Sequence, residues 1–258
     1  MFVLLVLAIT SPSVQTSQYV LARLSAFLGV SQRVNCTEPM HGPEIASVHR
    51  SGTEVARLLS RRYNTSFNAH YVGHKKPYDN PVAVIIRNPF RLVADAYVSH
   101  RSGHGNVYQK RIYTHNDHLV KTSVWHTYTR YGVPMAWNNE SYTTYLKRLS
   151  ESDGLLVELF HALFYQYHHH ILRAMYCDIS EPVTYVCLES FNVDPETVMS
   201  IIEEHFPGAH VDTDIDGGKF SAQEEFVITD LIPQLRELDQ KHANGFLHRI
   251  ENFIRCPE

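Results

Sequence analysis

Ser47 to Leu59 reads SVHRSGTEVARLL and gathers a guanidinium (Arg50), two hydroxyls (Ser51 and Thr53) and a glycine (Gly52) just ahead of a short amphipathic stretch. A helix starting near Thr53 would present unpaired backbone amides and the positive end of its dipole, and Gly52 would let the backbone approach a ligand closely. Those groups suit a tetrahedral oxyanion. A nucleoside triphosphate fits poorly, because no Lys stands where it could reach the terminal phosphates and no Ser/Thr-plus-Asp arrangement for magnesium is evident. A second cation, Arg87, ends the apolar run of PVAVIIRNP.

The elements around these cations must aim both at one place. Glu44 to Val48 is a short apolar run that reads as a strand, and Val55, Leu58 and Leu59 after it keep helical spacing. Val82 to Ile86 is an unbroken, β-branched-rich run, expected for a strand covered on both faces of a parallel sheet. Asn88 suits an N-cap and Pro89 the first helical position, with Leu92, Val93, Ala96 and Tyr97 as the apolar stripe. The pattern recurs with Val183 to Leu188 as a strand and Asp194-Pro195 opening a helix. Thr122 to Tyr176 reads as mostly helical, Ser221 to Glu224 as a capping box, and Pro233 as a kink or split in the helix that follows. Strands alternating with helices predict a doubly wound α/β fold, a parallel sheet flanked by helices, with its ligand outside the strand carboxyl ends where Arg50 and Arg87 fall.

At 258 residues and 44% hydrophobic, the chain can bury one sizeable core, so a single domain is expected over residues 19–258. Residues 1–18, MFVLLVLAITSPSVQTSQ, carry an apolar run too short to span a bilayer followed by small and polar residues, and read as a signal peptide or short signal-anchor. No other transmembrane span is expected. Sequons at Asn35, Asn64 and Asn139 fit the same compartment, the secretory pathway. With a net charge of -4 the chain is no general nucleic-acid binder, so an anion site must be local. Protonating even a few of the 17 histidines in an acidic lumen would move that charge towards zero.

The same residues resemble the sulfotransferases that use 3'-phosphoadenosine-5'-phosphosulfate, whose 5'-phosphosulfate loop reads S-x-P-[KR]-S-G-[TN]-T-x-x-R-x-L-L. Ser47, Arg50, Ser51, Gly52, Thr53, Arg57, Leu58 and Leu59 match in register, with His49 in place of the usual Pro and Glu54 in place of Thr. VIIRNPFRLVADAYVSH is similar to the family's second motif through Arg87, Asn88, Pro89 and Tyr97, and YVCLESFNVDP to its later segment through Glu189, Asp194 and Pro195. The resemblance implies a P-loop-like sulfotransferase fold, a donor held by Arg50, Ser51, Gly52 and Thr53 at one end and Arg87 at the other, and no metal. It is nearest to lumenal or membrane-associated members acting on carbohydrate or sialate, which implies a Golgi or secreted location and a hydroxyl acceptor, preferably a sugar.

Sulfuryl transfer requires a base for the acceptor hydroxyl and a cation for the charge developing on the bridging oxygen. Arg50 is assigned the second role. The family's turn histidine implies His70 as the base, with Glu54 as substitute and His74 as a third choice. Asp95 stands where the family has a Ser that binds the 3'-phosphate, so it must turn away, towards Arg91 in a surface pair, or donor binding is altered. The family's C-terminal R-K-G motif is absent, and Lys219 of DGGKFS is the nearest substitute. The alternatives are a non-catalytic relative that has lost the donor and, third, a phosphate-handling P-loop-like enzyme.

His168 to His170 point about 100° apart on a helix and cannot converge on one ion. The 15 Tyr and 12 Phe are taken as packing residues rather than acceptor contacts. Four cysteines without a CxxC disfavour zinc. The pairs Cys177–Cys187 and Cys36–Cys256 would tie neighbouring segments and the two chain ends, while a buried free thiol fits Cys187 equally well.

Overall fold

Ala83, Val84, Ile85 and Ile86 are all buried, as a strand covered on both faces requires. They belong to β3 (Val82–Ile86), the centre of a four-stranded parallel sheet with β1 (Ile45–Ser47), β2 (Phe67–Asn68) and β4 (Val183–Cys187) in the order β2-β1-β3-β4. The computed structural model describes residues 45–47, 52–63, 67–68, 82–103, 118–137, 139–164, 183–190, 196, 199–200, 202, 227–254 and 256.

Alternate residues of β3 feed two separate cores. Ala83 and Ile85 pack with Ile45, Val186 and the Val55, Ala56, Leu59 and Tyr63 face of α1 (Thr53–Arg62). Val84 and Ile86 face the larger core, built on α2 (Pro89–Ser102), α3 (His118–Tyr131), α4 (Tyr142–Arg148) and α5 (Glu151–Ala162). A π-helical turn at Val227–Leu231 leads into α6 (Ile232–His242), with Pro233 in its first turn, and then into α7 (Phe246–Ile254). The chain is therefore α/β, its parallel sheet covered on both faces. From β1 the chain steps through α1 to β2 on one side and then returns to β3 on the other, so the direction of winding reverses between β1 and β3. Crevices at such a reversal are where open parallel sheets bind ligands.

The helix starts follow their caps. Asn88 accepts from the Phe90 and Arg91 amides at 3.0 and 3.4 Å with Pro89 in the first turn. Ser141 and Ser150 cap α4 and α5 in the same way. The α7 amides of Leu247 and His248 donate to the buried Asp239 carboxylate of α6, at 3.0 and 3.2 Å. Burial pushes the Asp239 carboxyl up, against the pull of those amides.

At the α2–α5 contact, a Cβ on Gly154 would lie 2.6 Å from a ring carbon of Tyr97, whose side chain is itself buried. Gly154→Ala gains helix propensity but forces that ring to move, so a net loss of about 1–2 kcal/mol is expected in urea unfolding.

The disulfide differs from both expected pairings. Cys187, at the end of β4, is bonded to Cys256 just past α7, with their Cα atoms 5.3 Å apart. Cys36 and Cys177 lie outside the described residues. The sequence could not foresee this pairing because it depends on α7 returning beneath the sheet. Closing a separation of 69 residues contributes about 4 kcal/mol by the chain-entropy argument.

Candidate functional site

β1 and β3 are hydrogen-bonded neighbours, with Ser47 opposite Ile85, so the loops leaving their carboxyl ends emerge side by side. Gly52 closes the first loop in the left-handed region, φ 82°, where a side chain would be strained. A Cβ there would lie 2.7 Å from Leu188 and 3.4 Å from Ile85, so the turn rests on the ends of β3 and β4. The Ser47 hydroxyl donates to Thr53 Oγ1 at 3.4 Å across the loop.

The two helix starts at this edge differ. Asn88 occupies the first amides of α2, whereas no described side chain caps α1. Among the described residues, helix-start amides left open to an anion are therefore those of α1, while the second loop presents the Arg87 side chain.

Arg87 sits among carboxylates. Its guanidinium is in contact with Asp95 through Nη1 and with Glu189 through Nε, the latter at 3.1 Å. Glu189 also accepts from the Asn88 amide at 3.2 Å and is 4% exposed, and burial pushes its carboxyl up while Arg87 pulls the other way. Beneath Arg87, the Asn88 side-chain amide donates through Nδ2 to Glu251 at 2.9 Å, and Arg236 meets Glu251 through two hydrogen bonds of 2.9 and 3.0 Å while lying over the Phe90 ring. Although burial opposes ionisation of Glu251, bonds from Arg236 and Asn88 hold its carboxyl below the usual range. The strut ties α2, α6 and α7 under the edge and fixes where Arg87 emerges.

Asp95 thus meets Arg87, the cation assigned to the phosphate. Arg91, its expected partner, is 2% exposed and so is not a surface residue. Residue 95 follows residue 91 by four positions and residue 87 by eight, about one and two helical turns, and sequence spacing alone could not choose.

Tyr97 is also a core residue, 1% exposed, its hydroxyl accepting from Arg101 at 2.5 Å. Burial raises its pKa. Its placement seats α2 against α5. Arg50, Ser51, His70, His74 and Lys219 lie outside the described residues, and of Glu54 only the backbone, in the first turn of α1, is described. The edge therefore brings together Gly52, Thr53, Arg87, Asp95 and Glu189.

A second polar cluster, not foreseen from the sequence, lies inside the larger core. His100 Nδ1 is 2.6 Å from one oxygen of Glu158, and His161 Nδ1 is 3.5 Å from the other, all three side chains being buried. Burial alone would raise the Glu158 carboxyl, but the two imidazoles hold it well below the usual carboxylate range. The three potential ligand atoms lie within 4.8 Å of one another, a spacing that could also hold a metal ion; as it stands, the His100–Glu158 contact is a short hydrogen bond. The legible signal was a lone Glu-x-x-His pair inside the apolar run LLVELFHALF. Nearby, burial pushes His126 down to about 4, among Tyr131, Phe160 and Phe164.

In comparisons with protein families, characterised proteins and solved structures, no family model matches the chain and no protein or structure is significantly similar to it.

Proposed function

We propose that the chain is a lumenal sulfotransferase of P-loop-like, doubly wound fold. It would transfer a sulfuryl group from 3'-phosphoadenosine-5'-phosphosulfate to an acceptor hydroxyl, preferably on a carbohydrate, by in-line displacement. The observation that carries the reading is the close seating of the Gly52 turn on Ile85 and Leu188, which sets the uncapped start of α1 beside Arg87 at the winding reversal. A nucleotide with phosphates at both ends needs two such anion sites a short distance apart. Arg50, Ser51, Gly52 and Thr53 would hold the phosphosulfate, Arg87 the 3'-phosphate, and His70 would take the acceptor proton, with Glu54 in reserve. The Cys187–Cys256 disulfide fits an oxidising compartment, and no helix among the described residues is long and apolar enough to cross a membrane.

One observation favours the second reading, a binding protein that has lost the donor. Arg87 already faces two carboxylates, Asp95 and Glu189, and a phosphate dianion must be accepted beside both. The two readings part in one measurement. Donor nucleotide at millimolar concentration should raise the Tm of the purified chain, and labelled sulfate should move from donor to a glycan acceptor. Asp95→Ser, which removes the charge beside Arg87, should tighten donor binding about tenfold or more, equivalent to about 1.4 kcal/mol. If neither the original chain nor Asp95→Ser gains thermal stability from the nucleotide, the transferase reading fails.

A further inference from the structure

Trp137 is a large apolar side chain left 64% exposed, and it is held still. The Arg148 guanidinium lies over its ring, 4.2 Å from the centroid. That guanidinium is itself fixed by Glu140 at 3.0 and 3.1 Å and by the Met135 carbonyl at 3.0 Å. One face of the indole is therefore covered by a rigid cation, and the other is turned outward.

Two residues on, Asn139 opens the sequon Asn139-Glu140-Ser141. The segment is a tight turn: the Glu140 amide donates to the Trp137 carbonyl at 3.1 Å, and the Trp137 amide donates to the Glu140 carboxylate at 2.9 Å. Asn139 is exposed within it at φ 68°, a conformation that Asn tolerates better than most residues. The turn thus sets the sequon amide and the indole on the same short bend.

We propose that Asn139 carries an N-linked glycan whose first N-acetylglucosamine stacks on the outward face of Trp137. The Asn139 side-chain nitrogen forms a bond to the anomeric carbon of a lipid-pyrophosphate-linked oligosaccharide. The carbon–oxygen bond to pyrophosphate breaks, the lipid pyrophosphate leaves, and one amide proton is lost. In the folded chain the Ser141 hydroxyl caps α4, accepting from the Thr144 amide at 3.1 Å, so transfer takes place before that helix forms, on the chain entering the lumen. The polarised C–H groups of the sugar's flat face then meet the negative face of the ring, which the Arg148 contact has already oriented at no further cost in side-chain freedom. The inference rests on the lumenal part of the proposed function and is independent of sulfuryl transfer.

The test is secretion of the full chain from a eukaryotic host, glycopeptide mass spectrometry at each sequon, and melting before and after peptide N-glycosidase. Asn139 is expected to be occupied and to be converted to aspartate by the enzyme. Deglycosylation should lower Tm by about 2–4 °C, and by less than about 1 °C in Trp137→Ala. A secreted chain with Asn139 bare overturns the site and leaves the lumenal reading standing. A chain held in the cytosol without glycan overturns both. Equal losses of Tm with and without Trp137 overturn the stacking and assign that indole to another partner.

Discussion

Glu158→Ala is expected to lower the unfolding free energy by about 3–5 kcal/mol, the range for removing one partner of a buried ionic group. The carboxylate is 1% exposed and meets His100 on α2 and His161 on its own helix, so the substitution leaves two buried imidazoles facing a void. His100 stands in the last turn of α2, so the pairing joins the end of that helix to α5. A pH series separates this pairing from simple loss of packing. The imidazoles hold Glu158 below its ordinary range, so near pH 4 the unfolded chain binds more protons there than the folded one, and stability rises with pH. The contribution is complete above about pH 4.5 and is lost as pH falls through the lower folded value. Glu158→Gln keeps the shape and removes that titration, so its acid limb should be shallower in chemical denaturation measured from pH 3 to 6. An unchanged acid limb would move the ionic role elsewhere in the core.

Arg50→Ala is expected to reduce sulfuryl transfer about 10²–10³-fold, as for loss of one donor to the charge that develops in the transition state. On the proposed reading the loss should fall mainly on kcat, because the donor would keep the α1 amides and Arg87 while the leaving oxygen would lose the cation assigned to it. Melting should be unchanged within about 1 °C, since α1 is anchored by Val55, Ala56 and Leu59 in the core beneath it. Rates with labelled donor, read beside the melting curves, check both halves. Retained transfer would mean that the loop ahead of Gly52 does not hold the reacting group.

The elements that carry this edge were legible because their signals are local. Val82–Ile86 is the expected strand to the residue, Glu44 to Val48 and Val183 to Leu188 each contain one, and Asn88 and Pro89 open α2 as their types predict. Pro233 stands in the first turn of α6, just past the junction with the π-helical turn. What the sequence withheld are the meetings of residues far apart along the chain. Glu189 reaches Arg87 from the end of β4, Glu251 reaches Asn88 from α7, and Cys187 finds Cys256. Asp95 shows a different limit: its helix was plain, but its contact with Arg87 and the burial of Arg91 against the core emerge only once α2 is packed. His100 and Glu158 were hidden for the same reason, each unremarkable until α2 and α5 are packed.

The pairing of β3 with β4 also dictates an order of assembly. Val82 stands opposite Val183, so the β3–β4 ladder closes only after the whole of α2 to α5 has been made and gathered between its two strands. Long-range parallel pairing is slow, because loop closure costs entropy before any contact repays it. The helices of the larger core, whose contacts are nearer in sequence, can collapse first and form the surface on which β4 docks. Only then do Cys187 and Cys256 stand within reach of each other, so oxidation of this pair marks a late step, and a chain oxidised too early would be held with the β3–β4 pairing unformed.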